Sequence, residues 1–261
     1  MIRISAEQML AFQDKAMQTF IGRVVDELPG YRGALVEGRS RSDLFQVASL
    51  AVERAEGYGL DSERALFLYA NLSVTLGAYF DSDPALPWAA DRLADDSYLA
   101  NEKITDVWNC YIDYCEAVMG PDEEAYVPRR AFEAYCALPP PMPDDGTIQP
   151  IVEDFRLFWP EKVDLIGEEA LRLHVLSAGK RAADLGLSDH AARVRYCRIA
   201  FLLGHAFDAD PLHGWAWPAL GGTSGQSDSE VMDEVEMQFK THVVQAVIDW
   251  VEPEDSNDGE R

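Results

Sequence analysis

The sequence predicts an all-α protein built from two tandem, diverged copies of one helical unit, and three observations predict it. Apolar residues recur at helical spacing along most of the chain, and no segment shows the strict alternation of a strand. Residues 54–60 (RAEGYGL) return 127 positions later as residues 181–187 (RAADLGL), and the offset holds without a gap. Phe80-Asp81-Ser82-Asp83-Pro84 thus returns as Phe207-Asp208-Ala209-Asp210-Pro211, and Trp88-Ala89 as Trp215-Ala216. Finally, fifteen of the 40 paired positions in 54–93 and 181–220 are identical, where unrelated chains of ordinary composition would share about two or three.

The elements follow in chain order. Ser5 and Gln8 make a capping-box pattern ahead of a helix of about 24 residues, with an apolar stripe of Leu10, Met17, Phe20, Val24 and Leu28. Gly59 and Gly186 each follow a periodic stretch, where glycine takes the left-handed conformation that closes a helix. Asp61 and Ser188 come two residues later and are expected to cap the next helix. On that helix Ala65, Tyr69 and Leu76 share one face. Each unit therefore reads helix, glycine turn, helix, acidic proline-containing loop and short tryptophan-bearing helix. Residues 99–119 supply a further helix through Ile104, Val107, Trp108, Tyr111 and Ile112. Residues 228–250 match it through Val231, Val235, Phe239, Val243 and Val247.

Between the copies, residues 137–147 carry four prolines and cannot continue a helix, because proline lacks the amide donor and clashes with the preceding turn. The expected division is a first unit over 1–138, a linker over 139–147, a second unit over 148–250 and an acidic, disordered tail over 251–261. The two units are expected to pack about a pseudo-twofold axis.

Composition narrows the classes of function. The 261 residues include 46 acidic and 22 basic side chains, for a net charge of −24. Such a charge repels nucleic-acid phosphates and anionic lipid and steers basic partners inward. No dense Lys/Arg cluster offers a phosphate footprint. The N-terminus lacks the pattern of a signal peptide, and no apolar run reaches the roughly 20 residues of a membrane helix. Cys110, Cys115, Cys136 and Cys197 fit neither CxxC nor a zinc knuckle, so reduced, mostly core thiols in a cytoplasmic protein are expected.

The sharpest local motif is Phe-Asp-x-Asp-Pro. Asp81/Asp83 and Asp208/Asp210 have the i, i+2 spacing of calcium-loop carboxylates, but the mid-loop glycine and distal Glu of such a loop are missing. The preferred reading is a turn, in which the first Asp ends one helix and Asp-Pro begins the next. Replacing Asp81 by Asn would then cost about 1 kcal/mol at most, the value of a weakened cap. All five histidines (His174, His190, His205, His213, His242) lie in the second copy, opposite Val47, Glu63, Ala78, Leu86 and Cys115. His205 and His213 flank the acidic loop, where a His/Asp metal site is conceivable, but boundary histidines are the simpler reading.

No GxSxG elbow and no Cys–His nucleophile pattern is present. The run Gly221-Gly222-Thr223-Ser224-Gly225 lacks the P-loop Lys and reads as a flexible loop. Asp122-Glu123-Glu124 is expected to open a helix, favoured by the macrodipole. The expectation is a non-enzymatic protein without cofactor or metal. Candidate partner-binding residues are Asp81, Asp83, Trp88, Asp208, Asp210, Trp215 and Trp217, from the two motif loops and their tryptophans.

The pattern Arg-Ala-x-x-Tyr-Gly-Leu, a second helix, then Phe-Asp-x-Asp-Pro-x-Leu-Pro-Trp-Ala resembles an uncharacterised bacterial family. Its members are encoded beside type VI secretion spike proteins (VgrG and PAAR-type), their loading adaptors and toxic effectors. The matching residues are 54–60 and 80–89, and in the second copy 181–187 and 207–216, where His213-Gly214 replaces Leu86-Pro87. The resemblance implies a small cytoplasmic accessory of interbacterial competition and no enzymatic activity. On that basis the chain is expected to be an effector chaperone or adaptor whose protein partner is a basic secreted effector, a toxin or a spike component. An immunity protein that neutralises a cognate toxin is the alternative. An acidic DNA mimic fits less well, because the repeat is driven by core positions rather than by spaced carboxylates.

Overall fold

The structure, a computed structural model, describes residues 6–120, 127–144, 146–221 and 225–248. Among them are eleven α-helices and no strand. The first half holds α1 (Ala6–Val36), α2 (Arg41–Gly57), α3 (Glu63–Leu76), a 3₁₀ turn at Phe80–Ser82, α4 (Pro87–Ala94), α5 (Ala100–Val118) and α6 (Arg129–Cys136). The second holds α7 (Gln149–Phe158), α8 (Pro160–Asp184), α9 (His190–Leu203), 3₁₀ turns at Phe207–Ala209 and Pro211–His213, α10 (Trp217–Leu220) and α11 (Asp228–Ile248). α3 and α9 are each 14 residues long and begin 127 positions apart, as do the turns at Phe80 and Phe207. Residues 137–147 include no helix among those described.

Local chemistry accounts for the shared boundaries. α2 closes with Leu60 N–H donating to Ala55 O at 3.1 Å and Gly59 N–H donating to Glu56 O at 2.9 Å, with Gly59 at φ 75°. α8 closes in the same way through Leu187, Gly186 and the carbonyls of Ala182 and Ala183. This paired bonding satisfies the last carbonyls of a helix and needs a left-handed residue at that place. The caps of the following helices fall one residue beyond the expected Asp61 and Ser188. Ser62 Oγ accepts from Ala65 N–H at 3.2 Å, and Asp189 Oδ2 accepts from Ala192 N–H at 2.9 Å. An N-cap side chain must reach the amide three residues on, and the helices start at Glu63 and His190.

Two helices depart from the expected lengths. α1 continues through Pro29 to Val36, with Arg32 off the helical region at φ −137° and ψ 38°. Proline removes one helical bond and bends the chain, yet Leu28, Leu35 and Val36 are all buried, so packing carries the helix across the break. α10 has four residues where α4 has eight. Pro87 starts α4, whereas Gly214 stands 127 residues on, and the second half begins its helix only near Pro218.

One apolar core runs through both halves, with Tyr69, Phe80 and Leu72 from the first and Phe155, Phe201 and Phe239 from the second. α5 packs on α8, and α2 on the Pro211–His213 turn. Trp159 Nε1 donates to Val118 O at 3.2 Å across the same seam. All four cysteines are free thiols; Cys115 and Cys197 are buried, while Cys136 is exposed rather than in the core. No helix is long and apolar enough to cross a membrane among the described residues. Ser5, Asp122-Glu123-Glu124, Gly222-Thr223-Ser224 and the tail after Trp250 lie outside the described residues, as do the side chains of Gln8, Leu10 and Val247.

Candidate functional site

Each of the two Phe-Asp-x-Asp-Pro segments reaches the backbone just before the other. The first aspartate of each is an ion-pair partner rather than the end of a helix. Arg54 Nε and Nη2 donate to Asp81 Oδ1 at 3.0 and 2.6 Å, and the Tyr58 hydroxyl donates to Oδ2 at 2.9 Å. Arg181 grips Asp208 with the same two nitrogens, and the Tyr196 hydroxyl donates to Asp208 as well. The side chain of Asp81 is 1% exposed and that of Arg54 24%. Burial and the Asp81 charge together push the Tyr58 hydroxyl up to about 12. Each pair fastens the end of its long helix, α2 or α8, to the following 3₁₀ turn.

Each second aspartate accepts one backbone bond from the amide two residues on and another from across the seam. Asp83 Oδ1 accepts from Ala85 N–H at 2.8 Å, and Asp210 Oδ1 from Leu212 N–H at 2.8 Å, which starts the next turn as the sequence suggests. The other oxygens cross. Asp83 Oδ2 accepts from His205 N–H at 2.9 Å, and Asp210 Oδ2 accepts from Ala78 N–H at 2.7 Å. Residues 78 and 205 are themselves 127 apart, so the two bonds are reciprocal.

The close approach depends on glycine. Gly77 (φ 96°, ψ 148°) and Gly204 (φ 103°, ψ 148°) occupy backbone space that is essentially closed to other residues. A Cβ on Gly77 would lie 3.1 Å from Leu203 O, and one on Gly204 3.4 Å from Leu76 O. Gly77→Ala is therefore expected to lower stability by about 2 kcal/mol, combining backbone strain with displacement of Leu203. Chemical denaturation of the variant against Gly33→Ala, where a Cβ meets nothing within 4 Å, checks this.

The surroundings of the two crossing aspartates differ. Asp83 lies 3.1 Å from Nδ1 of His174 on α8, a residue that is completely buried. Its burial raises the carboxyl, but His174 and then His205 outweigh that and hold it well below the usual carboxylate range. Asp210 faces the first unit, where Val47 stands at the place matching His174. There burial wins over the amides of Ala78 and Leu212, and the carboxyl is pushed up to about 6. Nearby His213 is pushed down to about 3, first by burial and then by Arg39 and His242.

On the Asp83 side, Lys162 is buried, donates to Phe201 O at 2.6 Å, and lies 4.5 Å from the ring centres of Trp159 and Phe201. Burial, opposed by Asp83, brings its ammonium down to about 8. The cavity between Lys162, Asp83, Thr75 and Tyr114 measures about 30 Å³. That is room for about one water molecule, far short of the roughly 300 Å³ at which small-molecule sites begin. No group of three or more His, Cys, Asp or Glu among the described residues could hold a metal ion.

Asp81, Asp83, Asp208 and Asp210 are all buried, so the partner-facing place expected for them is corrected: their oxygens are engaged inside the fold. Trp88 is half-buried against Tyr114, and Trp215 is half-buried beside Phe207 and His242. Trp217 alone of the seven faces solvent, at 57% exposure, with its indole over Gly221. Sequence reasoning did not assign roles to Arg54, Arg181, Tyr196, Gly77 and Gly204, although their identity between copies was the available signal. His174 and Lys162 gave no such signal, because they occur once and act from the opposite half. No protein-family model, curated protein or solved structure matches the chain.

Proposed function

We propose that the chain is an internal duplication closed about a pseudo-twofold, and that it serves as a non-enzymatic accessory of type VI secretion, chaperoning or adapting a basic effector. The reciprocal Asp83–His205 and Asp210–Ala78 bonds support the duplication, because a twofold relation requires contact i–j to be repeated as j–i. The excess of 46 acidic over 22 basic residues is the observation that carries the partner reading. The motif carboxylates are turned inward, so it is the remaining acidic surface that meets other molecules. Such a surface speeds encounter with a basic protein and discourages nucleic acid.

The test is deletion in a bacterium that produces the protein, with secretion of that bacterium's type VI effectors followed by blotting and siblings scored for survival. The expected result is loss of export of one effector, restored by the plasmid-borne gene, with sibling survival unchanged. Sibling killing with export intact would instead identify an immunity protein. Intact export together with intact survival would refute both.

A further inference from the structure

The first unit carries an open groove of about 580 Å³ between the N-terminal half of α1 and the turn joining α2 to α3. Its floor is apolar, made by buried Phe20 and Leu66 with half-buried Met17. Its walls are acidic, made by Asp14, Glu56, Asp61 and Glu63. Glu63 pairs with Arg23 at 2.6 Å, and both are largely exposed. The other three carboxylates make no ion pair among the described residues. Phe12, one turn before Ala16 on α1, is 61% exposed.

The second unit does not repeat this surface. At the matching places Glu56, Asp61, Glu63 and Leu66 become Ala183, Ser188, His190 and Arg193. The groove is thus absent from the features that the two copies share. Nothing in the core requires four carboxylates around Met17, Phe20 and Leu66.

We infer that this groove docks a short segment of a partner protein in which an apolar side chain is flanked by lysine or arginine. The apolar floor takes the anchor and the carboxylate walls take the flanking cations, an arrangement in which a few buried side chains carry affinity and the charged rim sets selectivity. The inference rests on the reading of the chain as a binder of a basic protein and names where that binding occurs.

The probe is a fluorescent 12-residue peptide of alternating Leu and Lys pairs, with a Ser/Lys peptide of equal charge as its control, titrated by anisotropy into the full chain. The Leu/Lys peptide is expected to bind at least about tenfold more tightly than the Ser/Lys peptide, and its affinity should fall as salt shortens the range of the rim charges. The triple variant Asp14→Asn, Glu56→Gln, Asp61→Asn is expected to lose about tenfold in affinity. A second triple variant, Asp113→Asn, Glu116→Gln, Glu168→Gln, removes the same charge from exposed sites elsewhere and is expected to bind as the parent does. Both are surface changes, and circular dichroism with melting confirms that each is folded. Equal loss in the two triple variants, equal binding of the two peptides, or no binding would overturn the groove. Effector export in cells carrying the groove triple variant separates the two levels. Normal export there, with peptide binding lost, removes the groove and leaves the accessory role standing. Peptide binding as expected, with export indifferent to gene deletion, does the reverse.

Discussion

Replacing His174 by valine, the residue at the matching place in the first unit, is expected to lower stability by about 3 kcal/mol at pH 8 and by clearly less at pH 5. The side chain of His174 is wholly buried and that of Asp83 nearly so. Removing the imidazole leaves a buried carboxylate with its two backbone donors, close to the situation of Asp210, whose carboxyl is pushed up to about 6 by burial. His205 remains 3.8 Å from Asp83 and softens the change.

The sign of the pH effect follows from proton linkage. In the native protein Asp83 is held well below its ordinary value, so its stabilisation is complete above that ordinary value and is lost only as pH falls through the depressed one. In the variant its folded-state value rises above the unfolded one, so stability declines as pH rises between them. The smaller side chain also leaves a cavity, whose cost is the same at both pH values. The difference between denaturation curves at pH 5 and pH 8 therefore reports the Asp83–His174 pair, separate from the packing cost. A deficit of equal size at both would show that His174 acts by packing alone.

Asp81→Asn is expected to cost about 3 kcal/mol, well above the 1 kcal/mol of a weakened cap. The neutral amide ends the charge-assisted double contact with Arg54 and leaves that guanidinium, 24% exposed, without its counter-ion. Asp208→Asn should behave alike, because Arg181 and Tyr196 converge on it in the same way. Arg54→Met combined with Asp81→Leu should recover much of the loss, since replacing both members of a buried pair by apolar groups is commonly close to neutral. Urea unfolding of the single and double variants decides it; a loss near 1 kcal/mol for Asp81→Asn would restore the simple turn reading.

The positions of α1, α3, α5, α9 and α11, the glycine turns and the break before α7 were legible in the sequence because each is fixed by neighbours a few residues away. Apolar spacing places a helix, Gly59 and Gly186 end one, and the prolines of 137–147 prevent one. Boundaries slipped where two local signals competed. Asp61 and Ser62 can both cap, and the chain uses Ser62; Pro29 should end α1, but Leu35 and Val36 find a buried place beyond it.

The candidate site was only half legible. Repetition marked the four aspartates as significant, and their chemistry suggested loops open to solvent, because carboxylates bury poorly without partners. Those partners are distant in sequence. Arg54 reaches Asp81 over 27 positions, Asp83 meets His174 over 91, and Asp210 meets Ala78 over 132.

The sequence by itself determined an all-helical chain, the recurrence of residues of 54–93 at a constant offset of 127 and a large acidic excess, since periodicity, identity and charge are properties of the string. Only the tertiary structure decided what the repeated aspartates do. Burial is set by which surfaces close on each other. Once α2 and α3 are folded against the second half, the low dielectric of the seam makes His174 hold one crossing carboxylate ionised, while burial without such a partner leaves Asp210 raised.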